Sequence, residues 1–419
     1  MDVPRNAKPG VYRSAARVLT GKGESKPLTL ELRVLPFSLE TPADMVFGLY
    51  PDTGCWPESQ EARDLLMRKI RRQGFTMTLI YPIFGDEWTY KNGRVSSDLS
   101  NTISIMQAYK KAGLGGPFIM SVQGFDRCLK NIGVRGPCGE GGAFSEEAAD
   151  AMRQVIRIIK TTAEKNKWPK FIPHGIDEPI GGAKVKKAIW VGKIVRSEGL
   201  DFYCTIWNPG PMDPQINVRC VNMIDYGMLK SPEGAAKVRD AAKKAGDRFW
   251  CYGTGCYVNG AVKQDGNIIA NRYMGGTFLW RTGVGGSLTW TLMRVRQDPY
   301  FDLDGARGEP KEQCTVYPAV APDVSFTPTL QWEGIRKGID DYKYIYTLSQ
   351  HIKRGKEAKD PDTVAGATQI EKDFDKLIRD MPWRHVDAHG QYPDNGKITN
   401  ARLDRNRELI VEWLLRLSQ

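Results

Sequence analysis

Histidine is scarce in this sequence: 419 residues hold four, at His174, His351, His385 and His389. So few, so scattered, are poor material for a histidine-based metal site or a Ser-His-Asp triad. Of the eight cysteines (Cys55, Cys128, Cys138, Cys204, Cys220, Cys251, Cys256 and Cys314) none forms a CxxC pair, which weakens zinc-ribbon and thioredoxin readings. No apolar run reaches the roughly 18 residues of a membrane span, so no membrane partner is expected. No G-x-G-x-x-G follows the first strand-like run, which weighs against a dinucleotide site. Neither a metal nor any other cofactor is therefore expected. The opening MDVPRNAKPGVYRS has no apolar stretch after its charges and is not a secretory signal as written. The compartment is expected to be cytoplasmic, or secreted or periplasmic if a segment has been removed. No internal repeat of about 20–50 residues is found.

Apolar residues make up 41% and charged residues 26% of the chain, a balance that builds a large core without staples. The net charge of +11 raises the question of a polyanionic partner. Lysine and arginine are scattered along helix-like stretches, for example Arg63, Arg68, Lys69, Arg71 and Arg72, where they read as solvated faces. No basic run interleaved with aromatics is found, so a nucleic-acid partner is not expected. Cys204, Cys220 and Cys251 lie in or beside strand-like runs and read as core thiols. Cys128 and Cys138 bracket a Gly-rich loop and are a candidate disulfide.

Residues 10–36 predict two strands joined by GKGES, a pair that cannot bury a core alone. From about residue 46 short apolar runs alternate with longer amphipathic stretches. Strands are predicted at 45–51, 75–83, 116–122, 170–179, 201–208, 221–227, 248–253 and 286–293. Helices are predicted at 58–74, 101–113, 145–166 with Ser145 as N-cap, 183–199, 232–246 and 267–283. Eight strands, most followed by a helix, predict a parallel sheet closed into an α/β (β/α)8 TIM barrel. A Pro-, Asp- and Gly-rich stretch from Arg296 to Pro328 is a candidate rim loop. A long helix with an apolar stripe at Leu330, Ile335, Ile339, Tyr342, Tyr346 and Leu348 follows, then helices at 370–380 and 401–417. The expected organisation is an N-terminal strand segment (1–42), a barrel with its terminal helix (43–350) and a C-terminal helical extension (351–419).

The fourth strand ends in HGIDEP. Barrel enzymes hold reacting groups at the C-terminal ends of strands, which makes Asp177 and Glu178 the candidate catalytic pair. Two carboxyl groups in a partly dry site do not both ionise freely, and one becomes a proton donor near neutrality. Glycoside cleavage needs that division of labour. Asp-Glu-Pro equally suits the start of a helix, with an acidic residue capping it and Pro in the first turn. Neighbours in a strand also point to opposite faces, so the two acids share a site only if the backbone turns at Asp177. Aromatic and amide groups at other strand ends are candidate sugar contacts: Tyr81, Trp207, Asn208, Tyr226, Tyr252 and Trp290. Asp86, Glu87 and Asp225 are alternative carboxylates.

Three segments carry a resemblance: PGVYR…LTLELRVLPFSLE, HGIDEP, and QWEGIRKGIDDYKYIYTL, the most specific. In this order they resemble the catalytic region of glycoside hydrolase family 123 and related glycosidase-like domains. The resemblance implies that the N-terminal strand pair corresponds to the last strands of a β-sandwich. It implies an exo-acting, retaining β-N-acetylgalactosaminidase acting on an oligosaccharide or glycoconjugate. The substrate's 2-acetamido oxygen would attack the anomeric carbon, Asp177 would orient that group, and Glu178 would act as acid and base. Glu333, Arg336, Asp340 and Asp341 in the third segment read as structural. A glycosidase for a sugar without an acetamido group, and a barrel that only binds glycans, stay open.

Overall fold

The computed structural model describes residues 3–4, 6–21, 23–51, 56–138, 144–206, 215–222, 229, 231–253, 268–293, 300, 315–319, 326–383 and 397–418. The chain divides into two compact units, residues 43–342 with 377–404, and residues 1–42 with 343–376 and 405–419.

The larger unit is the barrel. Its strands are β1 (Val46–Tyr50), β2 (Met77–Thr78), β3 (Phe118–Ser121), β4 (Phe171–His174), β5 (Tyr203–Ile206), β6 (Val218–Asn222), β7 (Arg248–Tyr252) and β8 (Gly286–Trp290). All neighbours are parallel, and β8 pairs with β1. Ile80, just past β2, bridges to Met120 of β3 and closes the ring, with Ser121 N–H donating to Ile80 O at 2.7 Å. The strands are buried on both faces, as a parallel sheet covered by helices requires.

Three of the helices begin where a serine precedes an apolar stripe. Ser59, Ser145 and Ser231 each accept the N–H of the residue three further on, at 3.1–3.2 Å, and so cap α1 (Gln60–Arg72), α3 (Glu146–Lys165) and α5 (Pro232–Ala245). Between α1 and α3 lies α2 (Ser100–Lys111), and between α3 and α5 lies α4 (Gly182–Ser197). Asp86, one of the alternative carboxylates, is occupied in this scaffold. It accepts the N–H groups of Asn101 and Thr102 and the Thr102 hydroxyl at the start of α2. Glu87 is exposed, and Asp225 lies outside the described residues.

The segment QWEGIRKGIDDYKY packs helix on helix. Residues 268–282 form a helix with a π turn at Met274–Phe278. A Cβ on Gly338 would stand 2.7 Å from Arg272 O, and one on Gly334 2.8 Å from Ile268 O. Only glycine lets the two backbones approach so closely. Beside this contact the fully buried Arg272 donates to Asp341 Oδ2 and to Asp404 Oδ1, both at 2.6 Å. Arg336 pairs with Glu333 and Asp340 one turn away on its own helix.

In the smaller unit Gly10–Ala16 pairs antiparallel with Leu28–Val34 over seven residues each. Leu28 and Val11 are more than half exposed there. Its helical part packs Leu348, Ile352, Ala367, Ile370, Phe374, Ile410 and Leu414 inside.

Several boundaries differ from the sequence reading. β2 is shorter than 75–83, because Pro82 starts a short helix, Pro82–Gly85, and lacks the N–H a strand would use. β6 starts at Val218 rather than at 221. The helix expected at 370–380 starts at Pro361, where Asp360 accepts the Thr363 N–H at 2.8 Å. Cys128 and Cys138 are free thiols, not a disulfide, and Cys204, Cys220 and Cys251 are buried free thiols. The rim loop lies mostly outside the described residues.

Candidate active site

Strand β4 stops at His174, not at 179, so Asp177 and Glu178 stand in the loop beyond it on the C-terminal face of the barrel. Gly175 lets that loop lie against α4, since a Cβ there would meet Val191 Cγ1 at 2.4 Å. The backbone turn that the paired acids require occurs at Glu178, whose φ is +41°, rather than at Asp177. A left-handed conformation costs a non-glycine residue about 1–2 kcal/mol and must be held by its surroundings.

Thr205 of β5 holds it. The Glu178 N–H donates to Thr205 Oγ1 at 2.9 Å, and the same hydroxyl donates to Asp177 Oδ1 at 2.7 Å. One buried hydroxyl thus fixes the backbone of one acid and the side chain of the other. The Glu178 side chain reaches toward a different strand. Tyr252, the last residue of β7, donates to Glu178 Oε1 at 2.5 Å. Since β7 lies three strands from β4 around the ring, Glu178 points over the mouth of the barrel. Asn222, at the end of β6, also hydrogen-bonds Tyr252.

Electrostatics follow from this placement. Water reaches Asp177 at the mouth, but protein surrounds it on most sides, and lost hydration raises its carboxyl above the ordinary pKa. The Thr205 hydrogen bond and the charge of Lys184 pull it back in part. Burial raises the Tyr252 hydroxyl, and the charge of Glu178 adds to it, so Tyr252 stays a donor. His174 is buried, and its imidazole is pushed down to about 3 by loss of solvent. Its Nε2 lies 3.0 Å from Ile176 O, which can only accept, so the neutral ring donates there and steadies the loop before Asp177.

Below the acids the barrel is plugged with aromatic groups. Tyr50 and Tyr203 join hydroxyl to hydroxyl across the interior, and Tyr203 meets the His174 ring edge-on at 4.8 Å. Trp290, the last residue of β8, meets Tyr50 edge-on at 5.4 Å and is half-buried. Tyr81 is largely buried beside the short helix after β2. Of the sequence-selected residues, Asp177, Glu178 and Tyr252 are therefore joined through hydrogen bonds. Trp290 and Tyr81 sit at other points of the same mouth, and Trp207, Asn208 and Tyr226 lie outside the described residues. Thr205, His174, Tyr50 and Asn222 were not singled out by sequence, since each reads there as an ordinary strand residue. Among the described residues no group of three or more His, Cys, Asp or Glu side chains is arranged to hold a metal ion. No described helix is long and apolar enough to cross a membrane.

The sequence matches no protein-family model and no curated protein. Solved structures do match. A family 39 glycoside hydrolase from the gut symbiont Bacteroides cellulosilyticus WH2 covers 80% of this chain and 71% of its own, with a TM-score of 0.47 and 11% identity. A family 123 glycoside hydrolase from Clostridium perfringens, described for its hydrolysis of glycolipid glycans, has a TM-score of 0.64 and 15% identity. That match takes in 100% of this chain and 79% of the other, so the chain has the fold of a family 123 glycoside hydrolase.

Proposed function

We propose that this chain is a glycoside hydrolase that cleaves O-glycosyl bonds with Asp177 and Glu178. The observation that supports the reading is the Thr205 hydroxyl, which bonds both the Asp177 carboxylate and the Glu178 backbone N–H. The fold shared with the family 123 enzyme supports it.

The finer reading is a retaining, exo-acting β-N-acetylgalactosaminidase that uses the substrate's own acetamido group, acting on an oligosaccharide or glycoconjugate. Thr205 occupies Asp177 Oδ1, which leaves Oδ2 to accept the acetamido N–H and aim its carbonyl oxygen at the anomeric carbon. As that oxygen bonds to the carbon, the glycosidic bond breaks and positive charge develops on the acetamido group. The Asp177 carboxylate then faces a cation forming beside it, so the interaction strengthens toward the transition state. Tyr252 occupies Glu178 Oε1, which leaves Oε2 to give its proton to the departing oxygen. Water then attacks the same carbon, that carbon's bond to the acetamido oxygen breaks and frees the acetamido group, and the water's proton passes to Glu178. Two displacements at one carbon retain its configuration.

A panel of p-nitrophenyl glycosides tests this. Turnover of the N-acetyl-β-galactosaminide, with little on the plain β-galactoside, supports the acetamido route. Turnover of the plain glycoside alone replaces it with a glycosidase for another sugar. Binding of glycans with no turnover of any panel member contradicts the hydrolase reading.

A further inference from the structure

The face of the barrel that carries the acids also holds a concavity that the proposed chemistry does not use. It is a cavity of about 220 Å³ between the short helix after β2 and the helix Phe125–Asn131 that follows β3. Its walls include Ile83, Phe84, Trp88, Arg127, Asn131 and Ile132. The chain leaving β3 ties it to the acid loop. Val122 N–H donates to His174 O at 2.8 Å, and Gly124 lies two residues further on.

Phe84 is 50% exposed, which is unusual for a large aromatic ring in a wall of this kind. Its ring is nonetheless placed by packing. It lies directly on Gly124, where a Cβ would stand 2.4 Å from Phe84 Cζ. Gly124 has φ +75°, a conformation that other residues adopt only under strain. The sequence thus rests the tip of an apolar ring on a glycine and leaves half of the residue exposed. Behind it Trp88 is buried, with its indole N–H donating to Pro82 O at 3.2 Å, so the wall is firm. Arg127 and Asn131, both exposed, bring hydrogen-bond donors to the edge. An apolar platform with polar groups at its margin matches a sugar ring, which has a C–H face and a hydroxyl rim. Clefts for drug-sized ligands run to about 300–1,000 Å³, so this smaller cavity suits a single ring.

We infer that this cavity is a second sugar subsite, with Phe84 as the stacking platform for a ring on the leaving-group side of the cleaved bond. The inference rests on the exo-hydrolase reading: a terminal sugar fills the space at Asp177 and Glu178, so a ring bound elsewhere on the rim belongs to the departing part. The chemical class of substrate is then a glycan of two or more sugars rather than a simple glycoside.

The test compares kcat/KM for an N-acetylgalactosamine-terminated oligosaccharide with that for the p-nitrophenyl N-acetyl-β-galactosaminide, in the wild type, Phe84→Ala and Phe84→Leu. Leucine keeps apolar bulk but lacks a flat face, and both substitutions are at an exposed position. The expected result is that the oligosaccharide-to-chromogen ratio falls about tenfold in both variants, the size of one aromatic stacking contact. A ratio equal to wild type in both overturns the subsite while leaving the hydrolase reading standing. If the wild type splits neither substrate, the hydrolase reading fails, and calorimetry with the intact oligosaccharide decides the subsite. Weaker binding by Phe84→Ala than by wild type supports it, and equal binding or none overturns it.

Discussion

The Thr205 hydroxyl donates a 2.7 Å hydrogen bond to Asp177 Oδ1 while it accepts the Glu178 backbone N–H. This bond opposes the desolvation that raises Asp177. Hydrogen bonds to charged groups contribute about 1.5–3 kcal/mol, and one pKa unit corresponds to about 1.4 kcal/mol.

Thr205→Val keeps the shape and removes the hydroxyl. Asp177 then loses a group that favours its ionised form, and its pKa rises further. The acid limb of the kcat/KM–pH profile is expected to move up by about one pH unit or more. Thr205→Ser, which keeps the hydroxyl, restores the wild-type limb. A residue that served only packing would lower the rate without moving the limb.

His174 gives stability a pH dependence of definite sign. Its ordinary pKa is 6.5, and in the folded protein it lies at about 3. Between these values the unfolded chain binds a proton that the folded chain refuses. Stability therefore falls as pH drops below 6.5, by up to about 1.4 kcal/mol per pH unit from this one group. Urea unfolding at about pH 7 and about pH 5 is expected to show a smaller acid loss in His174→Gln than in wild type.

Gly338→Ala is expected to destabilise the barrel unit by about 1–3 kcal/mol or more, since the new Cβ meets the Arg272 carbonyl and the Gly275 backbone rather than a side chain that can move. Gly366→Ala is the control: nothing lies within 4 Å of a Cβ there. Thermal unfolding of the two variants separates the packing role of the segment from its helix propensity.

The barrel was legible because strand-like and helix-like runs alternate, and because Ser145 marks a helix start on the chain itself. Strand ends were not. Strands buried on both faces carry no alternation to show where they stop, so the fourth strand read through HGIDEP although pairing ends at His174. Asp177 and Glu178 could be found from their place after a parallel strand. Thr205 could not. A threonine in DFYCTIWN looks like β-branched strand packing, and its role exists only once β5 lies beside β4 with Tyr203 opposite His174. Glu178 likewise carries no sign of its left-handed backbone, since glycine, the usual marker, is absent from that position. The Gly-rich bracket between Cys128 and Cys138 misled, because spacing says nothing about where two thiols point.

The most direct test is the dependence of Glu178→Gln on the leaving group. Rates for an N-acetyl-β-galactosaminide with a poorly acidic leaving group, such as a sugar, are set against those for the dinitrophenyl glycoside, which departs without a proton. If Glu178 is the acid, the variant loses about 10²–10⁴-fold on the first substrate and far less on the second. Equal losses on both, or wild-type turnover by Glu178→Gln, would contradict the role assigned to Glu178 and the mechanism with it.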